Sequence, residues 1–238
     1  MKICRPLNKH INRHFGGIAV LYKSELKPGI TFLEHQNNDY LWLKMDRQFF
    51  GLDEDVFMCI VYIPPENSSY YKVRNQDTLA YINEDLAKYT TLGKIILAGD
   101  FNARSNVKND FIRNDNGDDI DTFHYIADKE ILTRNSQDMA DACSRGRKLI
   151  DMCISARLRI ANGRCMGDSL GQFTCHKYGG SSVIDYLITS EENLKRIMYF
   201  RVNPFLGQLS DHCCISWAMK CNLLKSKDFL CRAKPNID

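Results

Sequence analysis

Apolar residues recur along this chain in short runs bounded by polar and turn-forming positions, with two periodicities. The run Ile95-Ile96-Leu97-Ala98 is continuous, as in a strand covered on both faces. Similar runs rich in Ile, Val, Phe and Tyr predict strands over 17–22, 40–44, 57–62, 94–99, 173–176, 182–188, 198–203 and 213–219. The last of these alternates, with Cys213, Ile215, Trp217 and Met219 on one face and Cys214, Ser216 and Ala218 on the other. Leu79, Ile82 and Leu86 within 75–89, and Leu149, Ile150, Cys153, Ile154 and Leu158 within 144–158, fall at helical spacing and predict two amphipathic helices lying on a sheet. Ser144 is the expected N-cap of the second, and Ser190-Glu191-Glu192 reads as the capped, acid-rich start of a third. Strands alternate with helices, and no repeat, low-complexity tract or Pro/Gly-rich linker divides them, so the reading is one α/β domain over 16–220. A basic stretch over 1–15 and a basic tail over 221–238 flank it.

Composition narrows the class. Hydrophobic residues are 44% and charged residues 26% of the 238, ordinary globular usage that excludes a disordered chain. The apolar runs are far too short for a bilayer span, and the N-terminus has no apolar secretory core, so neither membrane nor secretion is expected. A formal charge of +3, from 32 Lys and Arg against 29 Asp and Glu, does not by itself mark a nucleic-acid binder. Its distribution is uneven. Lys2, Arg5, Lys9, Arg13, Lys23 and Lys27 face only Glu25 in the first thirty positions, whereas 110–141 is mostly acidic. The ten cysteines contain no Cys-x-x-Cys pair, which argues against a zinc ribbon and for small buried hydrophobes in a reducing intracellular compartment, nucleus or cytoplasm. Cys175-His176, with Cys165 ten positions earlier, is a poor zinc set that an alternating strand explains better. The acidic loop 114–119 is not an EF-hand, because Gly117 in the glycine place would put Ile112 and Phe123 at the first and last ligand positions. His10, His14, His35 and His124 have no partner at ligand spacing and read as surface residues.

Four short segments carry candidate chemistry. Gly99-Asp100-Phe101-Asn102 follows the buried strand, so a carboxylate and an amide emerge at its end, two residues apart and on one side if the backbone stays extended. Such a pair can hold a water, or can simply bond its own turn. Ser182-Val183-Ile184-Asp185-Tyr186-Leu187-Ile188 sets one acid in an apolar strand, which is costly without a partner. His212 of Ser210-Asp211-His212 is the natural partner, since a carboxylate on one imidazole nitrogen keeps the ring charged and aimed. Asp211 offers a hard oxygen ligand, and Tyr62 of Tyr62-Ile63-Pro64-Pro65 a phenol held at a rigid strand exit.

Taken in order, Gly16-Gly17-Ile18-Ala19-Val20, Tyr62-Ile63-Pro64-Pro65, Gly99-Asp100-Phe101-Asn102, Ile184-Asp185-Tyr186 and Ser210-Asp211-His212 resemble the endonuclease/exonuclease/phosphatase superfamily. Gly171-Gln172-Phe173-Thr174-Cys175-His176 and the Gly-Gly-Ser-Ser loop after it look most like the endonuclease domain of non-LTR retrotransposon polyproteins. The resemblance implies a four-layer α/β sandwich of two mixed, mostly antiparallel sheets flanked by helices. It also implies phosphodiester hydrolysis of DNA with Mg²⁺ or Mn²⁺, no small-molecule cofactor, and a reverse transcriptase as a former neighbour. Asp100 would orient or deprotonate the attacking water, Asn102 fix it, and Tyr62 stabilise developing charge. His212, oriented by Asp185, would bind the scissile phosphate, Asp211 would serve the metal, and Arg104 would touch phosphate.

In that family an Asn and a metal-binding Glu precede the Gly-Gly-Ile-Ala strand, while the fifteen residues before Gly16 contain no Glu. The expectation is a domain lacking its first two strands, with weak Mg²⁺ binding and uncovered sheet edges that make it marginally stable. Two other functions fit the same residues: an inactive remnant that binds nucleic acid or a protein, and a phosphatase acting on inositol phosphates or lipids.

Overall fold

The computed structural model describes residues 17–34, 38–72, 77–112 and 132–221, together with the backbone of an N-terminal strand, Lys2–Ile3. The rest of the basic N-terminal stretch, the basic tail after Cys221, the loop 114–119, and His10, His14, His35 and His124 lie outside the described residues.

The strands are β1 (Lys2–Ile3), β2 (Ile18–Ala19), β3 (Ile30–Phe32), β4 (Tyr40–Met45), β5 (Val56–Tyr62), β6 (Lys94–Asp100), β7 (Leu158–Ile160), β8 (Cys175–Lys177), β9 (Gly180–Ser182), β10 (Asp185–Ser190), β11 (Ile197–Val202) and β12 (Ile215–Met219). The helices are α1 (Arg47–Phe50), α2 (Thr78–Tyr89), α3 (Ser144–Ser155) and α4 (Glu191–Leu194). Six strands form a central mixed sheet in the order β3-β4-β5-β6-β10-β7, in which β5 and β6 are parallel and every other neighbouring pair is antiparallel. A parallel pair needs a crossover long enough to return the chain, and α2 supplies it between β5 and β6.

The pleat sorts the core into two layers. Phe57, Cys59 and Val61 of β5, Ile95 and Leu97 of β6, and Tyr186 and Ile188 of β10 face α2 and α3, where Ile82, Leu86, Leu149 and Cys153 are buried against them. Val56, Met58, Ile96, Ala98 and Leu187 point the other way, toward Phe200 and Val202 of β11 and Ile215, Trp217 and Met219 of β12. Each fully buried Leu or Ile contributes roughly 1.5–3 kcal/mol of apolar transfer, so both layers are substantial. The alternation read for 213–219 is therefore borne out, since Cys213, Ile215, Trp217 and Met219 all meet this second layer.

The architecture agrees with the α/β expectation at the level of a mixed six-stranded sheet with α2 and α3 on one face. Instead of a second large sheet, the other face carries the two-stranded pair β11-β12, and β1-β2 and β8-β9 are separate small pairs among the described residues. Several boundaries also differ from expectation. Leu158 leaves the helical face and opens β7, because α3 ends at Ser155 and Arg157 takes a left-handed φ of 51°. Cys143 rather than Ser144 caps α3, its Sγ accepting from the Gly146 N–H at 3.3 Å. Ser190 makes no cap bond to α4; its hydroxyl accepts the Ile95 N–H at 2.7 Å and so ties β10 to β6. The run 17–22 is extended only at Ile18–Ala19, and 182–188 divides between the hairpin strand β9 and the central strand β10.

One glycine fixes where the site forms. Gly99 has φ +137°, and a Cβ there would stand 2.0 Å from the Val61 carbonyl oxygen on β5. The close approach brings the end of β6 against the end of β5. Gly99→Ala is therefore expected to cost about 3 kcal/mol or more, through backbone strain and displacement of β5. The midpoint of urea unfolding measures it; a shift equivalent to less than about 1 kcal/mol would contradict the strain argument.

Candidate active site

Strand register lines up the first three candidates. Tyr62 is the parallel partner of Asp100, and Asp100 is the antiparallel partner of Asp185, so three adjacent strands present them in one row across the sheet. The even-numbered positions of β6 belong to the sheet face that carries β11 and β12, and the turn before β12 delivers His212 to that face. The row sits where two strands end and one begins, which is where a sheet has ends of polar backbone to offer and side chains free of the core.

His212 and Asp185 form the pair read from the sequence. Nδ1 of His212 lies 3.0 Å from each carboxylate oxygen of Asp185, and Nε2 lies 4.0 Å from Asp100 Oδ2. The bond to Asp185, foremost, and the charges of Asp185, Asp100 and Asp211 raise the His212 pKa above its ordinary 6.5 against the opposing effect of burial. Asp100 shows the reverse stress. Burial first, and the Asp185 charge second, push its carboxyl up to about 7, against the lowering by the Asn102 N–H, His212 and Lys177. Two carboxylates and one imidazole within 4.8 Å of one another hold a proton or call for a cation.

Asn102 reaches this cluster by a turn. Its φ is 45°, its backbone N–H donates to Asp100 Oδ1 at 2.8 Å, and its Nδ2 donates to Asp100 Oδ2 at 2.7 Å and to the Ile63 carbonyl at 2.9 Å. The extended pleat expected to align Asp100 and Asn102 is thus replaced by a left-handed residue that folds the amide back onto the carboxylate. Asp211 lies beside His212 in the chain, but its half-exposed carboxylate is 3.7 Å from Lys177 Nζ and is absent from the Asp100–Asp185–His212 group. Arg104 is committed to Asp138 through Nε to Oδ2 at 2.9 Å and a second nitrogen to Oδ1 at 2.7 Å, with a further bond to the Ser181 carbonyl at 3.1 Å.

The frame around these residues was not read from the sequence. Thr174 Oγ1 accepts the N–H groups of both Ile184 and Asp185 at 3.0 Å, and Asn162 donates to the Asp185 carbonyl and accepts from Leu187 N–H, so the start of β10 is held from both sides. The buried Arg145 guanidinium donates to the carbonyls of Pro64 and Asn102 at 2.9 and 3.1 Å, joining the exits of β5 and β6. One signal for it was present: a cation in the first turn of a helix opposes the helix dipole, which makes Arg145 an anomaly that needs a partner. Asp138 is nearly fully buried and accepts from Arg104, Val183 N–H and Ala140 N–H. Asp138→Ala strands the Arg104 charge and a buried N–H, so a loss of about 2–4 kcal/mol is expected in urea unfolding. A loss below about 1 kcal/mol would show that the network is not holding the strand.

Residues 56–216, which span β5 to β12, match the endonuclease-reverse transcriptase family. This chain belongs to that family. Solved structures share the endonuclease/exonuclease/phosphatase fold at low identity. The endonuclease domain of TRAS1, a telomere-specific non-LTR retrotransposon, is 16% identical with a TM-score of 0.54, over 92% of this chain and 80% of that one. The 3′ phosphatase NExo from Neisseria, bound to product DNA hairpin, is 15% identical with a TM-score of 0.52, over 80% and 70%. The AP endonuclease LMAP from Leishmania major is 13% identical with a TM-score of 0.51, over 77% and 55%. The search of curated proteins finds no match. Within the endonuclease-reverse transcriptase match lie Tyr62, Asp100, Asn102, Asp185, Asp211 and His212 together.

Proposed function

We propose that this member of the endonuclease-reverse transcriptase family hydrolyses DNA phosphodiesters with the help of a divalent cation, Mg²⁺ or Mn²⁺. The observation that carries the reading is the Asp185–His212–Asp100 group, in which one carboxylate charges and aims an imidazole while a second carboxyl sits across from its free nitrogen. The donor set suits a hard cation: clustered carboxylate oxygens, one of them pushed up to about 7 by burial and by its neighbour, are relieved by a positive charge. Asp211 would hold the cation beside this group; once bound, the cation would supply Lewis-acid polarisation of the phosphate.

The chain's own residues account for the proton and charge movements. Ionised Asp100 takes a proton from the attacking water while Asn102 fixes the carboxylate that receives it. The water oxygen adds to phosphorus, the bond to the leaving sugar oxygen breaks, and that oxygen takes a proton from solvent, to which Asp100 returns the proton it accepted. Protonated His212 and the Tyr62 hydroxyl stabilise the negative charge that builds on the phosphate oxygens. Arg104 has no part in this scheme, since Asp138 occupies it. The DNA hairpin bound by NExo, and the endonucleases TRAS1 and LMAP among the similar structures, support DNA as substrate over inositol phosphates or lipids. A nuclear or cytoplasmic setting suits the eight described cysteines, all present as free thiols.

Two tests follow. A labelled DNA duplex and an inositol polyphosphate, each offered with Mg²⁺ and with EDTA, separate the substrate classes: cation-dependent DNA cleavage alone is expected, and phosphate release from the inositol substrate alone would overturn the reading. Salt-dependent DNA binding without cleavage would point to an inactive binding module instead. The second test is a pH profile. Activity needs Asp100 ionised and His212 protonated, so the profile is bell-shaped. Removing the Asp185 charge lowers both pKa values, because that charge raises each of them. Asp185→Asn should therefore move both limbs to lower pH, and limbs that stay put or move apart would contradict the coupling.

A further inference from the structure

Outside the role just proposed, one side chain in the site's wall has no use. Cys175 on β8 is fully buried, and it is the antiparallel partner of His212. The flanking bonds, His176 N–H to the Asp211 carbonyl and Cys213 N–H to the Thr174 carbonyl, both 2.7 Å, make Cys175 and His212 a pair without mutual backbone bonds. In such pairs the Cα atoms approach to about 4.5 Å and the side chains stand closest. The Cys175 sulfur, an Asp211 carboxylate oxygen and a His212 ring nitrogen accordingly lie within 4.8 Å of one another.

We propose that Cys175, Asp211 and His212 bind a thiophilic divalent cation of the zinc class, and that its binding silences phosphodiester hydrolysis by occupying His212. The silencing rests on the role given to His212 above; the binding does not. Sulfur, nitrogen and oxygen together select a borderline-soft ion and suit Mg²⁺ poorly, which prefers oxygen and retained water. Three protein ligands leave a fourth tetrahedral place for water. Nδ1 of His212 already faces Asp185, the outer carboxylate that orients a metal-binding imidazole and raises its basicity, so Nε2 is the nitrogen left for the cation. Asp211 is half-exposed, and among the described residues its carboxylate is paired with Lys177 at 3.7 Å, so it can turn to a stronger partner. Burial, and the charges of Asp211, Asp185 and Asp100, push the Cys175 thiol up to about 11, so it stays neutral until a cation displaces its proton. Those same carboxylates form a negative field that attracts the ion.

Cobalt(II) titration of the full chain reads the site directly, because a cobalt–thiolate bond gives a near-ultraviolet charge-transfer band. The band is expected in the wild type and in Cys213→Ser, and is expected to vanish in Cys175→Ser. Asp211→Asn, at an exposed position where folding is not in question, should weaken cobalt binding by about 10-fold or more, at least the effect of losing an outer partner. No band in the wild type, or an undiminished band in a Cys175→Ser protein with wild-type circular dichroism, overturns the site. In the plasmid-nicking assay with Mg²⁺, the zinc concentration that halves activity should rise by about 10- to 100-fold in Cys175→Ser. Equal zinc sensitivity of the two proteins would overturn the silencing. Absence of nicking by the wild type would fall on the proposed hydrolysis, while the cobalt result would still decide the site.

Discussion

His212→Ala should reduce DNA cleavage by about 10³-fold, within the range that removal of a positioned acid or transition-state donor causes. The imidazole reaches Asp185 at 3.0 Å on one nitrogen and faces Asp100 at 4.0 Å on the other, so its loss removes a charge at the phosphate and a group that neutralises two carboxylates. The fold should tolerate the change, because His212 is a quarter exposed and lies ahead of β12, outside both core layers. Cleavage rates at equal protein concentration, with circular dichroism as the control for folding, measure the effect. A decrease of less than tenfold would remove His212 from the chemistry.

Asp100→Asn should do two opposite things: abolish cleavage and stabilise the cation-free protein at alkaline pH. The sign follows from linkage. A carboxyl raised from 3.8 to about 7 on folding binds its proton more tightly in the native state, so it contributes stability that is present below about pH 4 and lost as pH rises through 7. At pH 8 the ionised group therefore burdens the fold, by at most ~4 kcal/mol for that interval and, after relaxation of its neighbours, by about 1–3 kcal/mol. Asparagine keeps the size and carries no charge. In EDTA at pH 8 the variant should melt several degrees higher, at about 2–4 °C per kcal/mol for a chain of this size, and the gain should shrink toward pH 5. A variant that melts lower at pH 8 would show that Asp100 is held for stability. This trade between stability and activity is the expected signature of a functional carboxyl.

Which parts of the molecule were legible in the sequence follows from how local the determining forces are. The central strands β5 and β6 were readable because both faces are buried, and such strands need unbroken apolar runs. Strand β7 was not readable: its three residues include the fully buried Arg159, whose guanidinium donates to the Asp110 carbonyl at 3.1 Å from a loop far away in the chain. Strand β3 has three residues and no distinguishing period. Strand β8 overlaps the run expected over 173–176, whereas its partner β9 was hidden because the break at Val183 and Ile184 lies inside the single run read over 182–188.

In the candidate site, the side chains at strand ends were legible and their supports were not. Asp185 was conspicuous as an acid among Ile, Tyr and Leu, and its partner His212 followed from the cost of burying it alone. Asn102 was found for its type but not for its conformation, since a left-handed φ at Asn is a tertiary outcome set by the Ile63 carbonyl and Asp100. Asp138, Asn162 and Thr174 act on backbone groups many residues away, and nothing in their local sequence distinguishes them from loop residues.

The central claim is that Asp185, His212 and Asp100 form one hydrolytic unit with a divalent cation. Nicking of supercoiled plasmid by the purified chain with Mg²⁺, beside EDTA and the Asp100→Ala and His212→Ala variants, tests it most directly. The account predicts nicking by the wild type that is lost in EDTA and in both variants. Nicking that survives either substitution, or a folded wild type that leaves the plasmid intact with Mg²⁺ present, would contradict it.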